Sequence, residues 1–253
     1  MTELARQEPK IYAFADESIT PGIVICAAAV FSADRIVQAV ATLAAAKLSV
    51  GLPPDVTLHC RVIFSGDARR GTPWKDVKPA DVYAMVERLC QELKRIGHQP
   101  VLAVIDPRRI PPQPVAPGVS NRPPADKGIA TMAYNVVFDA LLRRFGNTRV
   151  RVWIDPDKTK IPWGLGRQRA DSTRRISIEL EPGKVLPEFI PEIEEAPKPR
   201  LLEVADLYAY VGAQAHSQGG GWRARWFRDL YGIIQPVVGV LEPNQNPQWV
   251  KAR

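Results

Sequence analysis

Three aspartates occupy positions in the sequence where a carboxylate could bind a cation. Asp16 follows the apolar segment IYAFA, Asp155 follows VRVWI, and Asp206 lies within LLEVADLYAY. The ends of strands are where α/β proteins gather functional groups, because ligands bind in a crevice outside the edge of the sheet. The sequence therefore predicts one site built from acids that are far apart in the chain.

Asp206 is the most informative of these acids. Its predicted helix is apolar on nearly every side, so the carboxylate should be buried and must then be protonated, paired with a cation or bound to metal. Glu203 lies one turn earlier on the same helix face. Carboxylates suit Mg²⁺ or Mn²⁺, which take oxygen ligands, and two such ions about 3.5–4 Å apart promote phosphodiester cleavage. We therefore expect Asp16, Asp155, Asp206 and Glu203 to bind metal, with Glu17 as a further catalytic carboxylate.

Ordinary structural roles compete with this interpretation. An aspartate after a strand is more often a turn or helix-cap residue than a ligand, and the proline that follows Asp155 favours a turn there. A buried Asp206 could instead pair with an arginine, although Arg200 is predicted to lie on another face of the helix. Asp106, at the end of a third predicted strand, is adequately explained by the proline-rich loop after it.

The hydrophobic pattern predicts a mixed β-sheet flanked by helices. Residues 11–15 and 23–31 form a hairpin around the turn residues at 20–22. Further strands are predicted at 57–64, 101–105 and 150–154, and helices at 36–48, 79–96, 129–145 and 201–215. We expect a single α/β domain over residues 1–253, with a proline-rich loop insertion at about 107–127 and a basic, aromatic C-terminal extension at about 218–253.

The charge of the chain favours a polyanionic partner. The formal net charge is +7 and the pI is about 9.4, which suits DNA or RNA. One basic segment follows Asp155, and its cations are expected to contact phosphates: Lys158, Lys160, Arg167, Arg169, Arg174 and Arg175. The segment WRARWFRDLY interleaves aromatic residues with arginines, which suits either base stacking or, as we favour, an amphipathic helix docked on the core.

The cysteines and the apolar segments indicate a cytoplasmic protein. Cys26, Cys60 and Cys90 are odd in number and lack CxxC spacing, so free, buried thiols in a reducing compartment are expected. The longest apolar run, residues 22–31, is too short to span a bilayer, and the first ten residues lack the apolar segment of a signal peptide. We therefore expect no membrane partner.

Several of these motifs resemble those of one family. IYAFADES resembles the N-terminal DESG motif, and LLEVADLYAY the C-terminal LQxADLIAG-like motif, of the family called domain of unknown function 3800. VRVWIDPDK stands where that family has a strand ending in aspartate, and LHC is similar to its central histidine segment. The order and spacing match from about residue 10 to residue 216.

The resemblance implies a ribonuclease-H-like fold with a nuclease-type metal site. Position by position it implies functional roles for Asp16, Glu17, His59, Asp155 and Asp206. The sequence also departs from the family pattern. Ile19 replaces the glycine of DESG, Glu203 stands where glutamine is common, and Thr57 stands where an acidic residue often precedes the histidine.

These observations together predict a divalent-metal-dependent nuclease. Asp16, Glu17, His59, Asp155 and Asp206 would be its catalytic residues, and His59 would assist proton transfer, since imidazole has an ordinary pKa near 6.5. For His59 alone, a half-buried strand histidine is an equal alternative. A non-catalytic nucleic-acid-binding or regulatory protein, and a hydrolase of small phosphoesters, remain alternatives for the whole chain.

The other two histidines are not expected to take part. His98 follows a glycine that ends a helix and is predicted to be solvated. His216 is predicted on the last turn of its helix, where a cation complements the dipole.

Overall fold

A mixed sheet of six strands, in the order β7-β4-β1-β2-β3-β8, lies at the centre of the fold. The computed structural model describes residues 10–109, 126–145, 150–154, 179–181, 184–185, 190–191, 200–217 and 219–240. The strands of this sheet are β1 (Ile11–Thr20), β2 (Ile23–Ser32), β3 (Val101–Ile105), β4 (Val150–Ile154), β7 (Ile190–Pro191) and β8 (Val237–Val240). A separate pair is formed by β5 (Glu179–Glu181) and β6 (Lys184–Val185).

Strand β1 has a different partner on each side. It pairs antiparallel with β2 from Ile11↔Ser32 to Thr20↔Ile23, around a two-residue turn in which Gly22 has φ +86°. It pairs parallel with β4 only as far as Ala15↔Ile154. The hairpin is confirmed, but β1 runs five residues farther than expected because its ladder with β2 continues. Asp16 and Glu17 therefore lie inside a strand, just past the point where β4 ends.

Besides three 3-10 helices (Ala33–Arg35, Pro73–Asp76 and Pro107–Arg109), seven α-helices occur in the described residues. They are α1 (Ile36–Ser49), α2 (Cys60–Ile63), α3 (Gly66–Arg69), α4 (Pro79–Arg95), α5 (Asp126–Phe145), α6 (Leu202–His216) and α7 (Trp222–Ile234). The four predicted helices are confirmed as α1, α4, α5 and α6, and the strands at 101–105 and 150–154 are confirmed as β3 and β4. The strand expected at 57–64 is wrong, because that segment contains the helical turn α2.

The sheet carries a hydrophobic core on each face. Alternate residues of a strand point to opposite faces, so Phe14 packs with α4, α6 and α7 while Ala13 and Ala15 pack with α5. Helix α6 crosses β1 and β2 and is buried along most of its length, as its apolar sequence predicts. The two-faced mixed sheet with flanking helices confirms the α/β class.

The remaining expectations about chain organisation lie mostly outside the described residues. The proline-rich loop is described only to residue 109, and the C-terminal extension only from 219 to 240. Across the described ranges, no helix combines the length and the apolar character that a membrane crossing requires.

A glycine on α6 allows the close approach of this helix to the sheet. A Cβ at Gly212 would lie 2.8 Å from Leu102 Cδ2 and 3.2 Å from Ile25 Cγ2, and both of these side chains are buried. Gly232 of α7 has nothing within 4 Å of the same position. The two glycines therefore provide matched sites for one substitution.

We predict that Gly212→Ala lowers the free energy of unfolding by about 1–2 kcal/mol, because the added methyl overpacks the core. Gly232→Ala should raise it by up to about 1 kcal/mol, because alanine is the better helix former and the space is open. Urea denaturation of both variants checks this. Equal stabilisation by the two substitutions would contradict the close packing at Gly212.

Candidate active site

Two carboxylates on α6 face the segment that connects α1 to α2. Glu203 and Asp206 are one turn apart, so their side chains share a helix face. Each accepts a hydrogen bond from a backbone N–H of that segment: Leu58 donates to Glu203 Oε2 at 3.0 Å, and Cys60 donates to Asp206 Oδ2 at 2.7 Å. The donors are two residues apart, which matches the alternation of an extended chain. The pair of acids thereby fixes the path of residues 58–60.

Asp206 also orients a histidine. His59 Nδ1 lies 3.1 Å from Asp206 Oδ2, and the imidazole is half exposed while the carboxylate is largely buried. An ionised carboxylate only accepts hydrogen bonds, so Nδ1 carries the proton in this contact. In the neutral ring the lone pair is then on Nε2, the nitrogen that could accept a proton. The arrangement suits a histidine that moves protons.

Glu203 is neutralised by a buried lysine that the sequence analysis did not select. Lys47 of α1 is fully buried, and its Nζ lies 2.5 Å from Glu203 Oε2 and 3.2 Å from the carbonyl oxygen of Pro54. Burial raises the pKa of Glu203, while Lys47 and the Leu58 N–H act to lower it. The role of Glu203 as a metal ligand stays a prediction, but one of its oxygens already has two partners.

Asp16 lies on the same face of the sheet as Asp206. It follows the alternation of Phe14, whose side chain is in the core that contains α6. The buried thiol of Cys60 has its pKa raised, chiefly by desolvation and then by the charge of Asp206, with a smaller effect from the charge of Asp16. The two carboxylates therefore act on one buried atom. The raised pKa also makes Cys60 a poor nucleophile.

Glu17 points to the other face of the sheet. Its Oε2 accepts a hydrogen bond of 2.5 Å from the hydroxyl of Tyr134 on α5, within the second core. Desolvation first, and then neighbouring charges that include Glu17, raise the pKa of Tyr134. The hydroxyl therefore stays protonated and is the donor of this hydrogen bond. The adjacent acids Asp16 and Glu17 are thus not brought together, because successive residues of a strand face opposite sides.

The other predicted site residues cannot be placed, because Asp155 and the basic segment from Lys158 to Arg175 lie outside the described residues. Within the ranges that are described, no three His, Cys, Asp or Glu side chains form a group that could hold a metal ion. In the part of the chain that the structure describes, the carboxylates whose charges act on the Cys60 thiol are those of Asp206 and Asp16. A third ligand from Asp155 stays a prediction.

The three cysteines and the two remaining histidines have clear structural positions. Cys26, Cys60 and Cys90 are buried and form no disulfide, as expected. His216 ends α6, as expected, with Nδ1 2.9 Å from the carbonyl oxygen of Gly212. The expectation that His98 is solvated is wrong. It is buried against Phe31 and Tyr208, and desolvation lowers its pKa to about 3.

Lys47 and Tyr134 are the functional partners that sequence analysis missed. Lys47 lies in the run ATLAAAKL, and its only signal is its position on the apolar face of the helix together with Leu43. Tyr134 lies in an apolar helix with no distinguishing spacing. Neither pairing could be inferred without the fold, because the partners are separated by more than one hundred residues.

No protein-family model matches the sequence, and no curated protein and no solved structure matches it. The resemblance to domain of unknown function 3800 therefore rests on the short motifs alone and stays a prediction.

We predict that Lys47→Met lowers the free energy of unfolding at neutral pH by about 3–5 kcal/mol, because it leaves the Glu203 carboxylate buried without its cation. The exposed Lys94→Met should change it by less than about 0.5 kcal/mol. Adding Glu203→Gln to Lys47→Met should restore part of the loss, since the amide oxygen can still accept from Leu58. Urea denaturation measures all three.

The same variant should show a defined pH dependence. In the folded protein the pKa of Glu203 is raised above its ordinary value of 4.5. The favourable contribution of Glu203 to folding stability is therefore complete below pH 4.5 and is lost as the pH rises through the pKa of the folded state. Removing Lys47 removes a group that lowers this pKa. The stability gap between Lys47→Met and the unsubstituted protein should therefore widen from pH 4 to pH 7. A gap that is constant over this range would contradict the ion pair.

Proposed function

We propose that the protein hydrolyses phosphodiester bonds of DNA or RNA with the help of Mg²⁺ or Mn²⁺. The observation that carries the proposal is the contact of Asp206 with both the Cys60 N–H and His59 Nδ1, on the sheet face that also bears Asp16. This combination supplies two carboxylates and an oriented imidazole on the same face of the sheet. Proton transfer and cation binding require these groups.

The cation would be held by Asp16 and Asp206, with Asp155 as the third ligand. Ala15, the residue before Asp16, pairs with Ile154, the residue before Asp155. This parallel register favours a common location for the two acids. When bound, the ion would lower the pKa of a water molecule and offset charge on the phosphate oxygens.

His59 would move the proton of the attacking water or of the leaving oxygen. Its hydrogen bond to Asp206 fixes the ring orientation, and the carboxylate would stabilise the protonated ring. Half of the imidazole is exposed, so a substrate could reach it. Glu203 and Lys47 would act as positioning residues, because they hold Leu58 and thereby the backbone next to His59.

We propose that this α/β fold is of the ribonuclease-H-like type. The resemblance implies an acid on the first strand, an acid after a later strand and an aspartate on the final motif helix. Asp16 on β1, the parallel neighbour β4, and Asp206 on a helix that crosses β1 and β2 support that arrangement. The positive net charge supports a polymeric, anionic substrate.

We predict that Asp16→Asn and Asp206→Asn each lower Mn²⁺-dependent cleavage of a labelled oligonucleotide by about 100-fold or more, because a charged group that acts in the transition state is lost. Asparagine at 206 can still accept from Cys60, so folding should survive. His59→Gln should lose about 100-fold as well. Asp34→Asn, an exposed acid just after β2, is the matched control and should retain full activity. Cleavage that persists in a chelator or in Asp16→Asn would refute the proposal.

A non-catalytic nucleic-acid-binding protein is the second candidate. Glu203 accepts a hydrogen bond from Leu58, and Asp206 accepts one from Cys60. These contacts give both acids a structural role that requires no catalysis, which favours this candidate. A thermal-shift titration with Mn²⁺ separates the two candidates. A metal site would add about 2.7 kcal/mol at one hundred times its dissociation constant, with a clear rise in Tm, whereas the second candidate predicts no rise.

A further inference from the structure

One exposed aromatic side chain lies next to a set of buried and partly buried ones. Trp222, the first residue of α7, is 66% exposed. Its ring lies 5.1 Å from Tyr83 of α4 in an edge-to-face arrangement, and Tyr83 in turn contacts Trp226 and Phe64. The expectation that the aromatics of WRARWFRDLY dock on the core is right for Phe227 and for the partly buried Trp226, and wrong for Trp222.

The exposed tryptophan has cations beside it. Arg225 lies three residues after Trp222, so the two are neighbours on the surface of α7, and Arg225 and Arg228 are both exposed. Within the described ranges these two arginines take part in none of the ion pairs. Asp229 is the one acid on α7.

This surface is connected to the candidate active site through a single helical turn. Arg223 of α7 donates to the carbonyl oxygen of Phe64 at 3.0 Å and to the Tyr210 hydroxyl at 3.3 Å, and its guanidinium lies over the Phe64 ring. Phe64 directly follows the last residue of α2, and His59 directly precedes the first residue of α2. Helix α2 has four residues and is therefore about 6 Å long. The start of α7 is thus fixed to the same short element that presents His59.

We propose that Trp222 is a stacking platform for a base of single-stranded nucleic acid, with Arg225 and Arg228 of the same helix contacting the adjacent phosphates. A base and an indole ring stack without regard to sequence, and the arginines neutralise the backbone. Bases within a duplex are already stacked, so the platform selects a single strand. The inference rests on the proposed function for its nucleic-acid partner and specifies the substrate as single-stranded.

The test measures binding apart from cleavage. Anisotropy of a fluorescein-labelled oligothymidylate is followed in chelator with the full chain. Trp222→Ala should raise Kd by roughly 5- to 100-fold for the single strand, the range expected for loss of one stacked base. Trp222→Phe, which keeps a ring, should lose much less. Val37→Ala removes another exposed apolar group, on α1, and should leave Kd unchanged.

Two further arms make the proposal falsifiable. Trp222→Ala should leave the affinity for a blunt duplex unchanged, and Arg225→Gln should lower the slope of log K against log salt by about one. Unchanged affinity of Trp222→Ala for the single strand, or an equal loss for single strand and duplex, would overturn the proposal. If Trp222→Ala weakens single-strand binding but no Mn²⁺-dependent cleavage occurs, the nuclease proposal is refuted and the stacking proposal is retained. If cleavage occurs but Trp222→Ala leaves single-strand binding unchanged, the stacking proposal is refuted and the nuclease proposal is retained.

Discussion

The backbone of residues 54–60 is held against the rest of the fold by two carboxylates of α6. Burial makes an unpaired carboxylate costly, and an unpaired backbone N–H is costly as well. Glu203 and Leu58, and Asp206 and Cys60, satisfy each other, while Lys47 supplies the cation that Glu203 requires. Arg200 adds a hydrogen bond of 2.8 Å to the Pro54 carbonyl. His59 is positioned because its neighbours on both sides are fixed in this way.

The sheet divides the acidic motif of β1 between two environments. Asp16 faces α6 and the segment with His59, and Glu17 faces the hydroxyl of Tyr134 on α5. A strand cannot direct two successive side chains into one centre, so the acids of IYAFADES have separate partners. As a result, Asp16, Asp206 and His59 lie on the α6 side of the sheet. Glu17 lies on the other side, where it links β1 to α5.

Periodicity predicted the parts of the fold that depend on local sequence. The amphipathic pattern of α4, the apolar α6 and the hairpin of β1 and β2 are of this kind, because each buries a continuous apolar face. The segment 57–64 was not predictable in the same way. Its alternating apolar residues favour a strand, but its N–H groups bond to α6 instead of to a neighbouring strand, and Val62 and Ile63 bond back to His59.

The candidate site was predictable only in its residue types. Asp206 stood out because a carboxylate in an apolar helix requires a partner, and its partners proved to be Cys60 and His59. The buried state of Lys47 and the opposite orientation of Glu17 depend on tertiary packing, which no local pattern contains. The exposure of Trp222 is similar, since the hydrophobic pattern of α7 alone favours a buried ring.

We propose that Asp16 and Asp206 share a cation on the α6 side of the sheet. Anomalous diffraction from crystals soaked in Mn²⁺ tests it most directly. We expect an anomalous peak within about 2.0–2.6 Å of oxygens from both carboxylates, the range for oxygen-bound divalent ions, with His59 still hydrogen-bonded to Asp206. A map with no peak there, while Asp206 contacts only Cys60 and His59, would contradict it.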